Sequence, residues 1–314
     1  MAHHLTSWYG SVRPVDVPAA GPPAAPHLPP GRLVDVPGRG QIPVRELAAA
    51  SGGGPTILLL HGWMLAADLN WFALYGTFAR HGTVLAMDIR GHGRGIRAPE
   101  PFTLEAAADD AAALLDHLGT GPAVVVGYSM GGSVGLELCR RHPEHVAGLV
   151  LLSTALQWRE ERDEQVLWRL MGPLELVLRV GVPGWITDRY LARAVRRNPA
   201  LAPVAPWIRT EAFRGRPADL AEAGRALGRF DARPYAPLVA VPTAVVVSRR
   251  DRLVAPYRQF DLARAIPGAR TVEADVGHSG WLVQPDRVGE AMDTALAHVV
   301  GRLPRRRPAF RSTE

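Results

Sequence analysis

Ser129 lies between Gly127 and Gly131 in the stretch AVVVGYSMGGSVGLEL, residues 123–138. The apolar run before it reads as a buried strand and the residues after it as a helix, so the serine falls on a strand-to-helix turn. A turn that tight strains the backbone at the serine and crowds the positions two residues to either side, where only glycine leaves room. It also exposes the hydroxyl and points the next N–H, that of Met130, at the same region of space. A hydroxyl is a weak nucleophile, so it needs a base, and the base needs a carboxylate to orient it.

On this template the acid precedes the histidine, each in a loop that follows a strand. SRRDRLVAP places Asp251 just past a strand ending near Ser248, and DVGHSGWLVQP places His278 just past one ending near Val276. Asp275 is too close to His278 along the chain to come from a separate strand. The other common position for the acid, after VAGLVLLS, holds Ser153 and Thr154. His61, His81, His92, His117, His142 and His145 precede or adjoin the serine, the wrong order for the base, and surface or structural roles suit them. Acyl transfer builds negative charge on a carbonyl oxygen, which two backbone N–H groups must hold. Met130 is expected to give one. The loop after TILLLHG is expected to give the other, because the small Gly62 lets Trp63 turn its N–H inward. This chemistry calls for no cofactor and no metal.

The elements that would position these residues are legible as alternating short apolar runs and helical stretches. RLVDVPG and QIPVREL read as two strands of a hairpin joined by a glycine turn. TILLLHG (56–62), TVLAMDIRG (83–91), AVVVG, VAGLVLLS (146–153), PTAVVVS (242–248) and ARTVEADV read as further strands. Between them FTLEAAADDAAALLDHLG reads as a helix that stops at Gly119, and further helices are expected after Ser129, over 256–265 and up to about Val300. Continuous apolar strands separated by helices imply an α/β protein with a mostly parallel sheet covered on both faces. The strand signal is missing over 155–240. There VLWRLMGPLELVLRVGVPGW suggests two short helices broken at Gly172-Pro173 and Gly181-Val182-Pro183. WITDRYLARAVRR places Trp185, Ile186, Tyr190, Leu191, Ala194 and Val195 on one helical face. The expected organisation is a Pro-rich leader over 1–31, a core formed by 32–154 with 241–302, a helical cap over 155–240, and a basic tail over 303–314. The cap has two readings, a layer packed on the core or a lid that touches a lipid surface. Trp158, Trp168 and Trp185 have two as well, an acyl pocket or core packing.

Composition narrows the class. With 47% hydrophobic and 21% charged residues among 314, the chain has the makeup of a globular protein. All 36 basic residues are arginine and the formal charge is +6. The charge is spread along the chain without a nucleic-acid module, so no nucleic-acid partner is expected; its densest run, Arg305 to Arg307, reads as a solvated tail. The single Cys139 cannot form an internal disulfide and reads as a buried structural thiol. His3 and His4 read as incidental. With neither an apolar leader core nor a run of the ~20 apolar residues that span a bilayer, a cytoplasmic location is the expectation.

Taken in order, HGW (61–63), DIRGHGRG (88–95), GYSMGG (127–132), the Asp251 loop and the GHSGW loop resemble the α/β-hydrolase superfamily. The resemblance runs from Arg32 to Val300 apart from the cap. It implies a Ser-His-Asp hydrolase, esterase- or lipase-like, acting on a small and apolar acyl or ester substrate. The same triad in this superfamily also serves cofactor-free haloperoxidases or perhydrolases, carbon–carbon bond hydrolases, lactonases and acyltransferases. A ligand-binding receptor of the same fold is the non-enzyme alternative. Its epoxide hydrolases and dehalogenases carry an aspartate where this chain has Ser129, and the Gly-rich HGGG loop of another lipase branch is replaced here by HGWM. Asp88, Arg90 and His92 fall in a turn common to the fold and read as structural.

Overall fold

The computed structural model describes residues 25–158, Leu176, 184–212 and 214–304. The first part of the leader with His3 and His4, the helices expected around Gly172 and Gly181, Trp168, and Arg305 to Arg307 lie outside the described residues.

The chain opens with β1 (Gly31–Val36) and β2 (Gly40–Leu47), an antiparallel hairpin in which Val34 faces Ile42 and a left-handed Gly38 makes the turn. β3 (Thr56–Leu60) follows. Two short helices, α1 (Ala67–Trp71) and α2 (Tyr75–Ala79), lead to β4 (Thr83–Met87). Next come α3 (Leu104–Leu118), β5 (Ala123–Tyr128), α4 (Met130–Arg141) and β6 (Val146–Leu152). The helical insertion contributes α5 (Gly184–Arg197), α6 (Ala205–Glu211) and α7 (Pro217–Leu227). The alternation resumes with β7 (Thr243–Ser248), α8 (Pro256–Ala265), β8 (Arg270–Ala274), α9 (Gly280–Val283) and α10 (Pro285–Val300).

The eight strands form one sheet in the order β1-β2-β4-β3-β5-β6-β7-β8, antiparallel at the hairpin and its junction with β4 and parallel from there on. Alternation along each strand divides the core into two layers. Leu58, Leu60, Val125, Leu149 and Leu151 point to one face, where α3, α4 and α8 supply Ala108, Leu114, Val134 and Leu262. Ile57, Leu59, Val124, Val126 and Val150 point to the other, against Trp71, Phe78, Met292 and Leu296 of α1, α2 and α10. Burial on both faces explains why the parallel strands are continuously apolar, each fully buried Val or Leu contributing about 1.5–3 kcal/mol.

Helix ends follow their local chemistry. Thr103 caps α3, its hydroxyl accepting the Ala106 N–H at 3.0 Å, and Gly119 closes the helix in the left-handed conformation at φ 61°. In the insertion, α5 buries only Leu191 and Ala194 of its expected apolar face and leaves Trp185, Ile186 and Tyr190 exposed. The helix packs against α6 and α9, and Leu191 and Ala194 join the core layer that holds Trp207 and Trp281. A backbone bond ties the insertion to the core loop after β4, with Gly93 N–H donating to Arg214 O at 2.7 Å, and another joins the two ends of the insertion, with Ala232 N–H donating to Leu156 O at 2.7 Å. No helix among the described residues is long and apolar enough to cross a membrane.

Candidate active site

Parallel register places the carboxyl ends of β3, β5, β7 and β8 at one edge of the sheet, the edge at which α/β folds build sites. Ser129 leaves β5 at φ 53° and ψ −118°, one of three non-glycine residues with positive φ among those described. The glycines around it are required by contact. A Cβ on Gly127 would sit 2.5 Å from the Gly131 carbonyl oxygen, and one on Gly131 would run into the Leu60 carbonyl. Met130 begins α4, where its N–H has no acceptor within the helix. The serine's own N–H donates to Leu152 O at 2.9 Å, which pins the turn to β6.

His278 and Asp251, 27 residues apart in sequence, are brought together: Nδ1 of the imidazole lies 2.7 Å from Oδ2 of the carboxylate. Asp251 is buried, and its Oδ1 accepts the N–H groups of Leu253 at 2.8 Å and Val254 at 2.9 Å. Those bonds satisfy an oxygen that burial has removed from water. A carboxylate facing Nδ1 favours the tautomer with the proton on Nδ1, leaving Nε2 as the basic nitrogen. The loop bearing His278 is held to the strand bearing the serine by Tyr128, whose hydroxyl donates to the His278 carbonyl at 2.6 Å.

Several residues brace these loops in roles that the sequence does not signal. Gln259 of α8 accepts the Ser248 N–H at 2.9 Å and donates to Val254 O at 2.7 Å, so it braces both ends of the Asp251 loop. Asn70 accepts the Gly62 N–H at 3.0 Å, and Tyr190 of α5 donates to the Ser279 hydroxyl at 2.7 Å, one residue from His278. Amides and hydroxyls this far apart in sequence give no periodic signal.

The HGW loop is ordered from beneath. His61 Nε2 accepts the Ile89 N–H at 2.9 Å, which puts its proton on Nδ1, 2.9 Å from Gly62 O. Burial lowers its pKa to about 4 and keeps it neutral. Gly62 has no room for a side chain because Tyr128 packs on it, and Trp63 turns its indole N–H to Leu220 O at 2.7 Å. Asp88, Arg90 and His92 stand in structural contacts. Asp88 accepts the Ala67 and Arg94 N–H groups at 2.7 Å each, and Arg90 forks onto Asp110 at 2.6 and 2.8 Å. His92 is fully buried and its pKa falls to about 3 through desolvation. Asp275 pairs with Arg250 and Arg287 away from the imidazole. Trp158 is a core residue whose N–H reaches the Ser133 hydroxyl at 3.0 Å; Trp185 is 67% exposed.

A family model described as the alpha/beta hydrolase fold matches residues 55–285. The chain belongs to that family, and it is an enzyme of the hydrolase class. A pimeloyl-[acyl-carrier protein] methyl ester esterase of Neisseria meningitidis is 31% identical over 232 residues, 73% of this chain and 88% of its own length. Among solved structures, a thermophilic esterase from Thermogutta terrifontis has a TM-score of 0.71 at 30% identity, covering 86% of this chain and 99% of that one. The enol-lactonase from Burkholderia xenovorans LB400 also has a TM-score of 0.71, at 27% identity, covering 83% of this chain and 98% of that one.

Proposed function

We propose that this protein hydrolyses a carboxylic ester through an acyl-enzyme, with Ser129 as nucleophile, His278 as general base and acid, and Asp251 as the orienting carboxylate. The observation that carries the reading is the 2.7 Å contact between the His278 imidazole and the buried Asp251 carboxylate, on the sheet edge where Ser129 occupies its strained turn. Ser129 Oγ bonds to the ester carbonyl carbon while its proton passes to His278 Nε2. The carbonyl π pair moves to oxygen, and the N–H groups of Trp63 and Met130 hold the oxyanion, each worth about 10²–10³ in rate. Collapse breaks the acyl–oxygen bond, and His278 returns the proton to the departing alkoxide. Water, deprotonated by the same nitrogen, then attacks the acyl-enzyme and releases the acid and the serine.

Methyl ester esterase and enol-lactonase are names that converge on an acyl–oxygen bond, which supports that bond class as the substrate. The insertion between β6 and β7 is proposed to cap the site, with Tyr190 and Trp63 joining it to the loops on either side. Ser129→Ala is expected to lower turnover of a p-nitrophenyl ester by about 10⁶, as loss of the nucleophile does in other triad enzymes. A fluorophosphonate probe is expected to label the wild type at Ser129 and to leave the variant unlabelled. Retained turnover in the variant, or labelling elsewhere, would refute the assignment.

A further inference from the structure

A second cluster of imidazoles and carboxylates lies where α4 ends, at the amino end of β6 and so at the opposite edge of the sheet from Ser129. His142 terminates α4, and the single 3-10 turn Pro143–His145 carries Glu144 and His145. His142 Nε2 is 2.7 Å from Asp109 Oδ1, and His145 Nε2 is 2.7 Å from Asp116 Oδ1. Both carboxylates belong to α3. A carboxylate only accepts, so in each ring the Nε2 must carry the proton.

The other nitrogen of each ring, Nδ1, lies near one and the same carboxylate oxygen. Glu144 Oε1 lies 3.9 Å from that of His142 and 3.2 Å from that of His145. His145 is only 9% exposed, and its Nδ1 is buried without a hydrogen-bond partner. With a proton on Nε2, His145 presents Nδ1 to Glu144 Oε1 at 3.2 Å, so that a nitrogen and a carboxylate oxygen face each other across a gap in which a shared cation would be held. One ligand atom from each of the three residues lies within 4.8 Å of the others. Tetrahedral zinc ligands stand about 3.4 Å apart, given bonds of about 2.0–2.2 Å. The two Nδ1 to Oε1 separations, 3.9 and 3.2 Å, bracket that value, and Glu144 is an exposed side chain with room to adjust.

We propose that His142, Glu144 and His145 bind a divalent cation of the zinc type, with Asp109 and Asp116 as the outer carboxylates that orient the two imidazoles. Carboxylate, imidazole and metal in line is the arrangement by which proteins set the tautomer and raise the basicity of a ligating histidine. Imidazole nitrogen with a single carboxylate suits zinc better than magnesium or calcium, which favour all-oxygen sets. The last carbonyls of α4 add a favourable partial negative charge. Arg141 donates to both oxygens of Asp109, at 2.8 and 3.0 Å, and holds that carboxylate in place. The cation would join the end of α4 to α3, a structural role separate from the sheet edge that carries Ser129.

The test is calorimetric titration of Zn²⁺ into the full chain after chelator treatment, paired with thermal melts. The wild type is expected to take up one equivalent and to melt at a higher temperature with zinc. His142→Ala and His145→Ala should each weaken uptake at least about tenfold and abolish the thermal shift, while His298→Ala binds as the wild type does. Asp116→Asn, which alters a carboxylate whose side chain is 73% exposed and keeps every ligand, should cost about 10–100-fold in affinity. Circular dichroism establishes that each variant is folded before titration. Absence of saturable uptake by the wild type, or uptake that persists at full strength in both histidine variants, overturns the proposal.

Discussion

Asp251 is only as well placed as the amide that braces it. Gln259 bridges Ser248 N–H and Val254 O across the turn that carries the carboxylate, with its Nε2 3.4 Å from Asp251 Oδ2. Gln259→Leu leaves a buried N–H and a buried carbonyl without partners, so an unfolding titration should show a loss of about 1–3 kcal/mol. The same variant should lower kcat on an ester more than it raises KM, because the disturbed group acts on the imidazole and not on bound substrate. At the same scale, burial pushes the Cys139 thiol up to about 11. Native protein should therefore resist iodoacetamide at neutral pH and react only after unfolding, which mass spectrometry would register.

Two junctions between elements carry the site. The first is the β5–α4 turn, where Gly131 lies against the carbonyls of Leu60 and His61. Gly131→Ala would drive α4 away from β3, and its cost should reach or exceed the ~3 kcal/mol at the top of the usual overpacking range. Loss of soluble protein or a large fall in melting temperature would register it. The second is the turn after β4, fastened to α3 by the buried fork of Arg90 on Asp110. Asp110→Ala leaves the guanidinium uncompensated, and denaturant unfolding should show a loss of about 3–5 kcal/mol. Gly119, Thr103 and the hairpin glycine could be read in advance because caps and turns depend on neighbours within a few residues. The exposure of Trp185, Ile186 and Tyr190 could not, since the apolar stripe of α5 says which face prefers burial and not how far the core extends beneath it.

For the whole molecule, the neutral histidines beneath the site set an acid limit. Burial lowers His61 to about 4 and His92 to about 3, below the ordinary value near 6.5 that each regains on unfolding. Between those values the unfolded chain binds more protons, so stability rises with pH and is lost as pH falls from about 6.5 toward 4. Each unit crossed costs about 1.4 kcal/mol per histidine. Melting temperatures at pH 7, 6 and 5 should fall steadily. The fall should be shallower in His92→Gln, which removes one of these two buried imidazoles.

The sequence by itself determined the α/β class, the alternation of strand and helix, and the strand-to-helix turn at Ser129 with its flanking glycines. It also held the order serine, acid, histidine. These rest on periodicity, on turn chemistry and on the steric demands of a few adjacent residues, all of which act over short distances. The tertiary structure decided what meets across the sheet edge. Asp251 and His278 approach because parallel pairing sets the ends of β7 and β8 side by side, and Tyr128 reaches the His278 carbonyl across 150 residues of chain. The pairing of His142 and His145 with Asp109 and Asp116 likewise exists only because α4 packs on α3. In each case the partners are far apart in sequence, and only the packed sheet and its helices supply the distance.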